Sequence, residues 1–146
     1  MAKFHQGIFT PKNPSKCLNK GLIQYRSSWE ITFMRICDEH ASIVAWGSEI
    51  IQIPYQNPFT GKWHRYIPDF MVQYVDKNEK QHVEMIEIKP AKEARVELAK
   101  SRKDKIALAI NTAKWTAAEI YCKKNGIFFR VMTEHELFRM SGGRKK

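Results

Sequence analysis

An α/β fold, a mixed β-sheet flanked by helices, is what this sequence predicts, and three observations predict it. Two β-rich runs, 66–75 and 82–89, are joined by Asp76-Lys77-Asn78-Glu79-Lys80-Gln81, six polar residues without glycine that suit a longer hairpin loop. The run 105–125 places Ile106, Ile110, Ala113, Ala117 and Ile120 in an apolar helical stripe, with Gly126 as its stop. A short apolar run of buried-strand type, 127–132, follows it. The full order is helix, three strands, long helix, strand, short helix, which suits helices packed on a sheet.

The 146 residues make one domain with room for a core. A net charge of +10 favours a polyanionic partner. No run approaches the roughly eighteen apolar residues of a membrane span, and M-A-K-F-H-Q-G lacks the apolar centre of a signal peptide. Action in the cytoplasm, with no membrane partner, is therefore expected. Cys17, Cys37 and Cys122 are odd in number and lack Cys-x-x-Cys spacing, so they read as reduced structural thiols.

Residues 1–24 are basic, carry Pro11 and Pro14, and read as an extended N-terminal arm. Phe4, Ile8 and Phe9 give it an apolar grip, on its own domain or on a partner. Residues 25–140 form the core domain, and 141–146 a flexible basic tail. Neither arm nor tail has a periodic apolar face, so loss of residues 1–20 or 142–146 is expected to leave the core folded.

The first helix starts at Ser27 or Ser28, either of which can cap it. Trp29, Phe33, Ile36 and Cys37 follow helical spacing, and D-E-H-A-S-I-V-A-W ends the helix. A strand covers 48–55, and the turn-rich stretch 56–62 leads to 63–66, a hairpin feeding the strand of Asp69. The charged run 91–103 is a partly helical lead-in to the long helix, where Trp115 is core. Thr133 caps a short last helix, with Glu136 completing a capping box.

Side chains alternate along a strand. Val83, Met85, Glu87 and Lys89 thus share one face, Ile86 and Ile88 the other, and Pro90 ends the run. Asp69 lies early in the partner strand, opposite the end of the second, so two carboxylates and one ammonium converge. Buried carboxylates need neutralising. Mg²⁺, with Mn²⁺ as a substitute, takes one or two carboxylates plus waters and phosphate oxygens. A lysine beside that metal can orient or deprotonate an attacking water and stabilise charge on phosphorus. Together these make a phosphodiester hydrolase site of Asp69, Glu87 and Lys89; the plainer alternative is a surface Glu87–Lys89 ion pair. Glu30 has two roles open to it, a capping box with Ser27 and support of the metal. Arg26, just before Glu30, is a candidate phosphate contact; His64 and Arg65, on the approach to the site, are either further contacts or a solvated hairpin tip. Lys92, Arg102 and Lys103 belong to the densest basic cluster of the core, which is either a phosphate grip or a solvated face.

P-D-F, sixteen residues, then E-I-K resembles the PD-(D/E)xK nuclease signature. In that superfamily Asp and Glu bind metal, Lys serves catalysis, and a helical glutamate upstream often completes the site; R-S-S-W-E offers Glu30. The ordered set R-S-S-W-E, I-P-Y, H-R-Y-I-P-D-F, I-E-I-K-P and A-K-W resembles the TnsA-type endonucleases of transposons and, most closely, the head completion nucleases of T-even-type tailed phages. The likeness runs from T-P-K-N-P to about Phe138. TnsA-type proteins can carry Gln where this chain has Glu87. The resemblance implies a restriction-endonuclease-like core and a Mg²⁺-dependent DNA endonuclease, with Asp69, Glu87 and Glu30 around the metal, Lys89 at the water and Lys114 facing the DNA. It also implies double-stranded DNA as substrate and phage portal, neck or head proteins as partners. The role would be trimming or finishing the packaged genome end, in the host cytoplasm and then within the virion at the head–neck region. Two other readings stay open: a non-catalytic protein of the neck that holds the DNA end, and a transposon or restriction nuclease subunit. With no DNA-reading helix and no aromatic-rich single-strand platform, cutting directed by DNA structure or ends is expected. Double-strand cutting would need two sites, hence an oligomer.

Overall fold

Period-two alternation in two neighbouring runs builds the centre of the sheet. The computed structural model describes residues 6–140, the side chains of Lys92 and Val96 excepted; the expected tail 141–146 and the first five residues of the arm lie outside the described residues. Strands β6 (Phe70–Val75) and β7 (Gln81–Ile88) pair antiparallel, with Phe70 opposite Ile86 and Met71 opposite Met85. Asp76 shapes the turn between them, accepting from the N–H groups of Asn78 at 2.8 Å and Lys80 at 3.0 Å. Strand β3 (Ile43–Ser48) pairs antiparallel with β6, and β8 (Phe128–Met132) pairs parallel with β7, giving a four-stranded mixed sheet in the order β3-β6-β7-β8.

Each face of the sheet has its own core. Phe70, Val72, Ile86 and Ile88 meet Trp29, Phe33, Met34 and Cys37 of helix α1 (Ser28–Glu39). Met85 and Phe129 meet Ala118 and Cys122 of helix α3 (Arg102–Lys124) on the other face. The mixed sheet flanked by helices is therefore the architecture observed. Between β7 and α3 lies the short helix α2 (Ala91–Ala94), and Ser101 caps α3 by accepting from the Asp104 N–H at 3.0 Å. Helix α4 (Glu134–Phe138) follows β8 with the expected capping box of Thr133 and Glu136. No helix among the described residues is long and apolar enough to cross a membrane. All three cysteines are free thiols.

Four features differ from the sequence reading. Helix α1 stops at Glu39, and the stretch assigned to its end is instead strand β3, whose Trp46 is fully buried. The single strand expected at 48–55 is broken: Glu49 takes a left-handed backbone, φ 56°, and strand β4 (Ile53–Gln56) pairs only with β5 (Trp63–Tyr66) in a separate ribbon. The run 66–75 is likewise interrupted at Ile67-Pro68-Asp69, because proline cannot donate to a ladder.

The fourth difference is the arm. Strands β1 (Gly7–Phe9) and β2 (Ile23–Tyr25) pair with each other, and Phe9 and Ile23 join the α1-side core. The buried Asp38 carboxylate of α1 accepts from the N–H groups of Lys12 at 2.8 Å and Asn13 at 2.9 Å. Asn19 bonds Ser48 through both its amide atoms, at 2.9 and 2.8 Å. The described part of the arm thus docks on its own domain and satisfies a buried charge. The expectation that the core folds without residues 1–20 loses its basis.

Candidate active site

The broken strand ends meet at one end of the sheet, at its two central strands. Asp69 precedes Phe70, which pairs with Ile86, so Asp69 stands beside Glu87. Its Oδ2 accepts from the Ile88 N–H at 2.8 Å. Glu87 is buried on the α3 face, and its Oε1 accepts from the Tyr66 hydroxyl at 2.8 Å. Lys89, just past β7, is fixed by its N–H bonded to Met132 O at 3.0 Å. Its Nζ lies 3.8 Å from Glu87 Oε2 and 4.0 Å from Glu93 Oε1. From α3, Lys114 reaches across with Nζ 5.8 Å from the ring centroids of Tyr55 and Tyr66.

Electrostatics single out this cluster. Burial pushes the Asp69 carboxyl well above the usual range, and the neighbouring Glu87 charge adds to it. Burial also raises Glu87, against the pull of Lys89 and the Tyr66 hydroxyl. Lys114 is lowered, by burial and by repulsion from Lys89, with Glu87 and Asp69 opposing. Two buried carboxylates and two ammoniums therefore share one cluster, and both carboxylates resist ionising without a stronger cation.

Glu30 stands on the rim. Ser27 caps α1, accepting from the Glu30 N–H at 3.1 Å, while Glu30 Oε1 accepts from the Arg26 N–H at 2.9 Å. The side chain thus reaches back one residue beyond the cap that a capping box would engage. The Arg26 guanidinium forks onto Glu49, Nη2 to Oε1 at 3.2 Å and Nη1 to Oε2. Glu49 in turn donates its N–H to Asp69 O at 3.0 Å. Among the described residues no three His, Cys, Asp or Glu side chains converge closely enough to hold a metal between them. Asp69 and Glu87 alone form a two-carboxylate site, which fits a hard divalent cation completed by waters and phosphate oxygens.

Comparison with known proteins gives the family. A family model described as TnsA-like endonuclease N terminal matches residues 40–134, a span that contains Asp69, Glu87, Lys89 and Lys114. The chain belongs to the TnsA-like endonuclease family. It is also 37% identical over 144 residues to the Head completion nuclease of Enterobacteria phage T4, covering 91% of this chain and 93% of that protein.

Other candidate residues of this TnsA-like endonuclease lie farther out. His64 and Arg65 are exposed on β5, His64 against the Tyr55 ring at 5.8 Å and Arg65 Nη1 3.3 Å from Gln52 Oε1. Arg102 and Lys103 are exposed in the first turn of α3, about 17 Å along the helix from Lys114, so they would touch different phosphates. The Lys92 side chain lies outside the described residues. Two side chains at the site escaped the sequence reading, Tyr66 and Glu49. Tyr66 lies three residues before Asp69, and Pro68 between them marks the bend that lets it fold back onto Glu87. Nothing in the sequence marks Glu49, whose place depends on its left-handed backbone.

Proposed function

We propose that this TnsA-like endonuclease is a divalent-metal-dependent enzyme that hydrolyses phosphodiester bonds of double-stranded DNA at the Asp69–Glu87–Lys89 cluster. The observation that carries the reading is a pair of buried carboxylates, both pushed toward protonation, with Lys89 Nζ 3.8 Å from one of them. A structural role gives no reason to keep that costly arrangement. Asp69 and Glu87 would hold Mg²⁺, or Mn²⁺ in its place, which when bound supplies an activated water and Lewis-acid stabilisation.

This chain's residues do the rest. The Ile88 N–H holds Asp69 Oδ2, and the Tyr66 hydroxyl holds Glu87 Oε1, which would leave Asp69 Oδ1 and Glu87 Oε2 to hold the cation. Lys89 orients the water and stabilises charge on phosphorus. Glu30 supports the site from the rim through a water, and Lys114 contacts the phosphate beside it. Arg26 beside Glu30, and His64, Arg65, Arg102 and Lys103 farther along, contact the backbone, positioning the duplex without reading its sequence.

The relative named Head completion nuclease, which this chain matches almost end to end, supports a role in finishing the phage head. In this reading the enzyme trims the packaged genome end in the host cytoplasm, beside portal, neck or head proteins, and stays with the virion at the head–neck region. Cutting both strands takes two copies. The arm, described above from residue 6, seals the core spanning 25–140. Plasmid nicking in Mg²⁺, with and without chelator, tests the reading. Cleavage that survives excess chelator overturns the metal mechanism, and no cleavage in Mg²⁺ or Mn²⁺ overturns the nuclease.

A further inference from the structure

The β4–β5 ribbon ends in a tip that is firmly built yet buries little. Asn57 Oδ1 accepts from the N–H groups of Phe59 at 2.8 Å and Thr60 at 3.1 Å. Gly61 N–H returns to Asn57 O, and Asn57 N–H reaches Lys62 O, both at 2.8 Å. Gly61, at φ 74°, takes the left-handed position that a side chain disfavours. On this fixed tip Phe59 is 60% exposed and Trp63 is 68% exposed. A single exposed apolar residue is ordinary. Here two large aromatics stand with Lys62 and Arg65 in a stretch, 50–68, that has no carboxylate.

The ribbon's root lies in the candidate active site. Ile53 pairs with Tyr66 and Tyr55 with His64, so one face carries Tyr55 and Tyr66 down to Lys114 and Glu87. Trp63 and Arg65 lie on the opposite face, with Gln56 and Pro54 across from them. Trp63 is three residues out from Tyr66, about 10 Å along the strand. DNA held at the carboxylates and leading out along the ribbon would meet Trp63 only at the tip, on the face turned away from Glu87.

We propose that Phe59 and Trp63 stack on unpaired bases of the DNA held at this site, while Lys62 and Arg65 neutralise the flanking phosphates. The proposal rests on the reading of the Asp69–Glu87 cluster as a DNA-cutting centre and names its substrate class, DNA with unpaired bases next to the cut. Bases inside a duplex are covered by their own stack, and only those at an end, gap or tail offer a face to an aromatic ring. Stacking tolerates any sequence, since every base has a π-face. In this proposal Phe59 and Trp63, which the turn brings to one tip, would form the aromatic platform that the sequence did not show.

The test is binding of the full chain, in chelator so that nothing is cut, to two duplexes with the same single-stranded tail, one carrying bases and one abasic. The wild type should bind the base-bearing tail about 5- to 150-fold more tightly, the scale of one stacked base or more. Phe59→Ala with Trp63→Ala should bind both tails alike, and Trp63→Tyr should keep most of the preference. Quenching of tryptophan fluorescence by the base-bearing tail, lost in Trp63→Tyr, gives a second readout. A wild type indifferent to the bases, or a folded double alanine variant that keeps the preference, overturns the proposal. If the double variant does not fold, the wild-type preference and Trp63→Tyr decide it. Preference without cleavage in Mg²⁺ would sink the nuclease and leave stacking standing; cleavage without preference does the reverse.

Discussion

The Tyr66 hydroxyl donates a 2.8 Å hydrogen bond to Glu87 Oε1, tying the root of the β4–β5 ribbon to the carboxylate at the end of β7. Both groups are buried. Burial and the neighbouring Glu87 charge push the Tyr66 hydroxyl far above its usual range, so it remains a donor at any working pH. Tyr66 is thus a positioning residue for a group that would hold the metal.

Tyr66→Phe keeps the ring and removes that donor. A buried carboxylate that loses a partner costs about 1–3 kcal/mol, read as a lower urea midpoint in chelator. Nicking should fall about 10-fold, and the Mg²⁺ concentration for half-maximal activity should rise, as outer-shell partners of metal ligands usually dictate. An unchanged Mg²⁺ requirement would leave Tyr66 a packing residue only.

The raised Asp69 carboxyl makes metal-free stability depend on pH. Its folded value lies above its unfolded value of about 3.9, so the folded chain binds the proton more tightly. That favourable binding is fully present below the unfolded value and is lost as pH rises through the folded one. Glu87 is raised as well and acts in the same direction. Asp69→Asn should therefore be more stable than wild type in chelator at neutral pH, by about 1 kcal/mol or more, and nearly equal to it at about pH 4. Adding Mg²⁺ should stabilise the wild type and not the variant, and cleavage by the variant should vanish. Urea titrations at two pH values check this; a variant less stable than wild type at neutral pH in chelator would contradict it.

Asp38 is 1% exposed, and its carboxylate is met by the Lys12 and Asn13 N–H groups. Deleting residues 6–20 strips both N–H partners from the Asp38 carboxylate and takes Phe9 out of the core. We expect a loss of about 3–5 kcal/mol, enough to unfold many small domains. Asp38→Asn should cost less, since the amide oxygen still accepts one bond. Thermal melts of both variants decide whether the arm belongs to the core; an unshifted midpoint in the deletion would show that it does not.

What the sequence made readable follows from which signals are local. The β6–β7 pairing was legible because Phe70, Val72, Ile86 and Ile88 alternate with Met71, Met85 and Glu87, and side chains at a fixed period of two leave one arrangement of faces. The same spacing let Asp69, Glu87 and Lys89 be named together. Strand β3 was hidden because Ile36, His40, Ile43 and Val44 also fall at helical spacing, with no glycine or proline to stop the helix. The pairing of Trp46 with Val72 is what decides it, and that is a tertiary fact. The arm's docking turns on Asp38, whose need for partners shows only once it is buried. Tyr66 and Glu49 reach the site through a bend at Pro68 and a left-handed residue, neither of which leaves a periodic trace.

Lys89→Ala separates the nuclease from a protein that only holds DNA. It removes the ammonium 3.8 Å from Glu87 and leaves both carboxylates to bind metal. Cleavage should drop about 10²–10⁴-fold, the scale for losing an acid–base or charge-stabilising group. DNA affinity should change little, because one phosphate contact among several is lost, and the slope of log affinity against log salt should flatten by about one unit at most. Metal-free stability should fall, since Glu87 would then be buried without its nearest cation, and Mg²⁺ should restore it. If the protein only holds DNA, particle assembly should track binding and ignore cleavage. Complementation of a defective phage with Lys89→Ala, alongside a binding titration, therefore discriminates. Normal particle yield from a variant that binds DNA but does not cut it would remove catalysis from this protein's role.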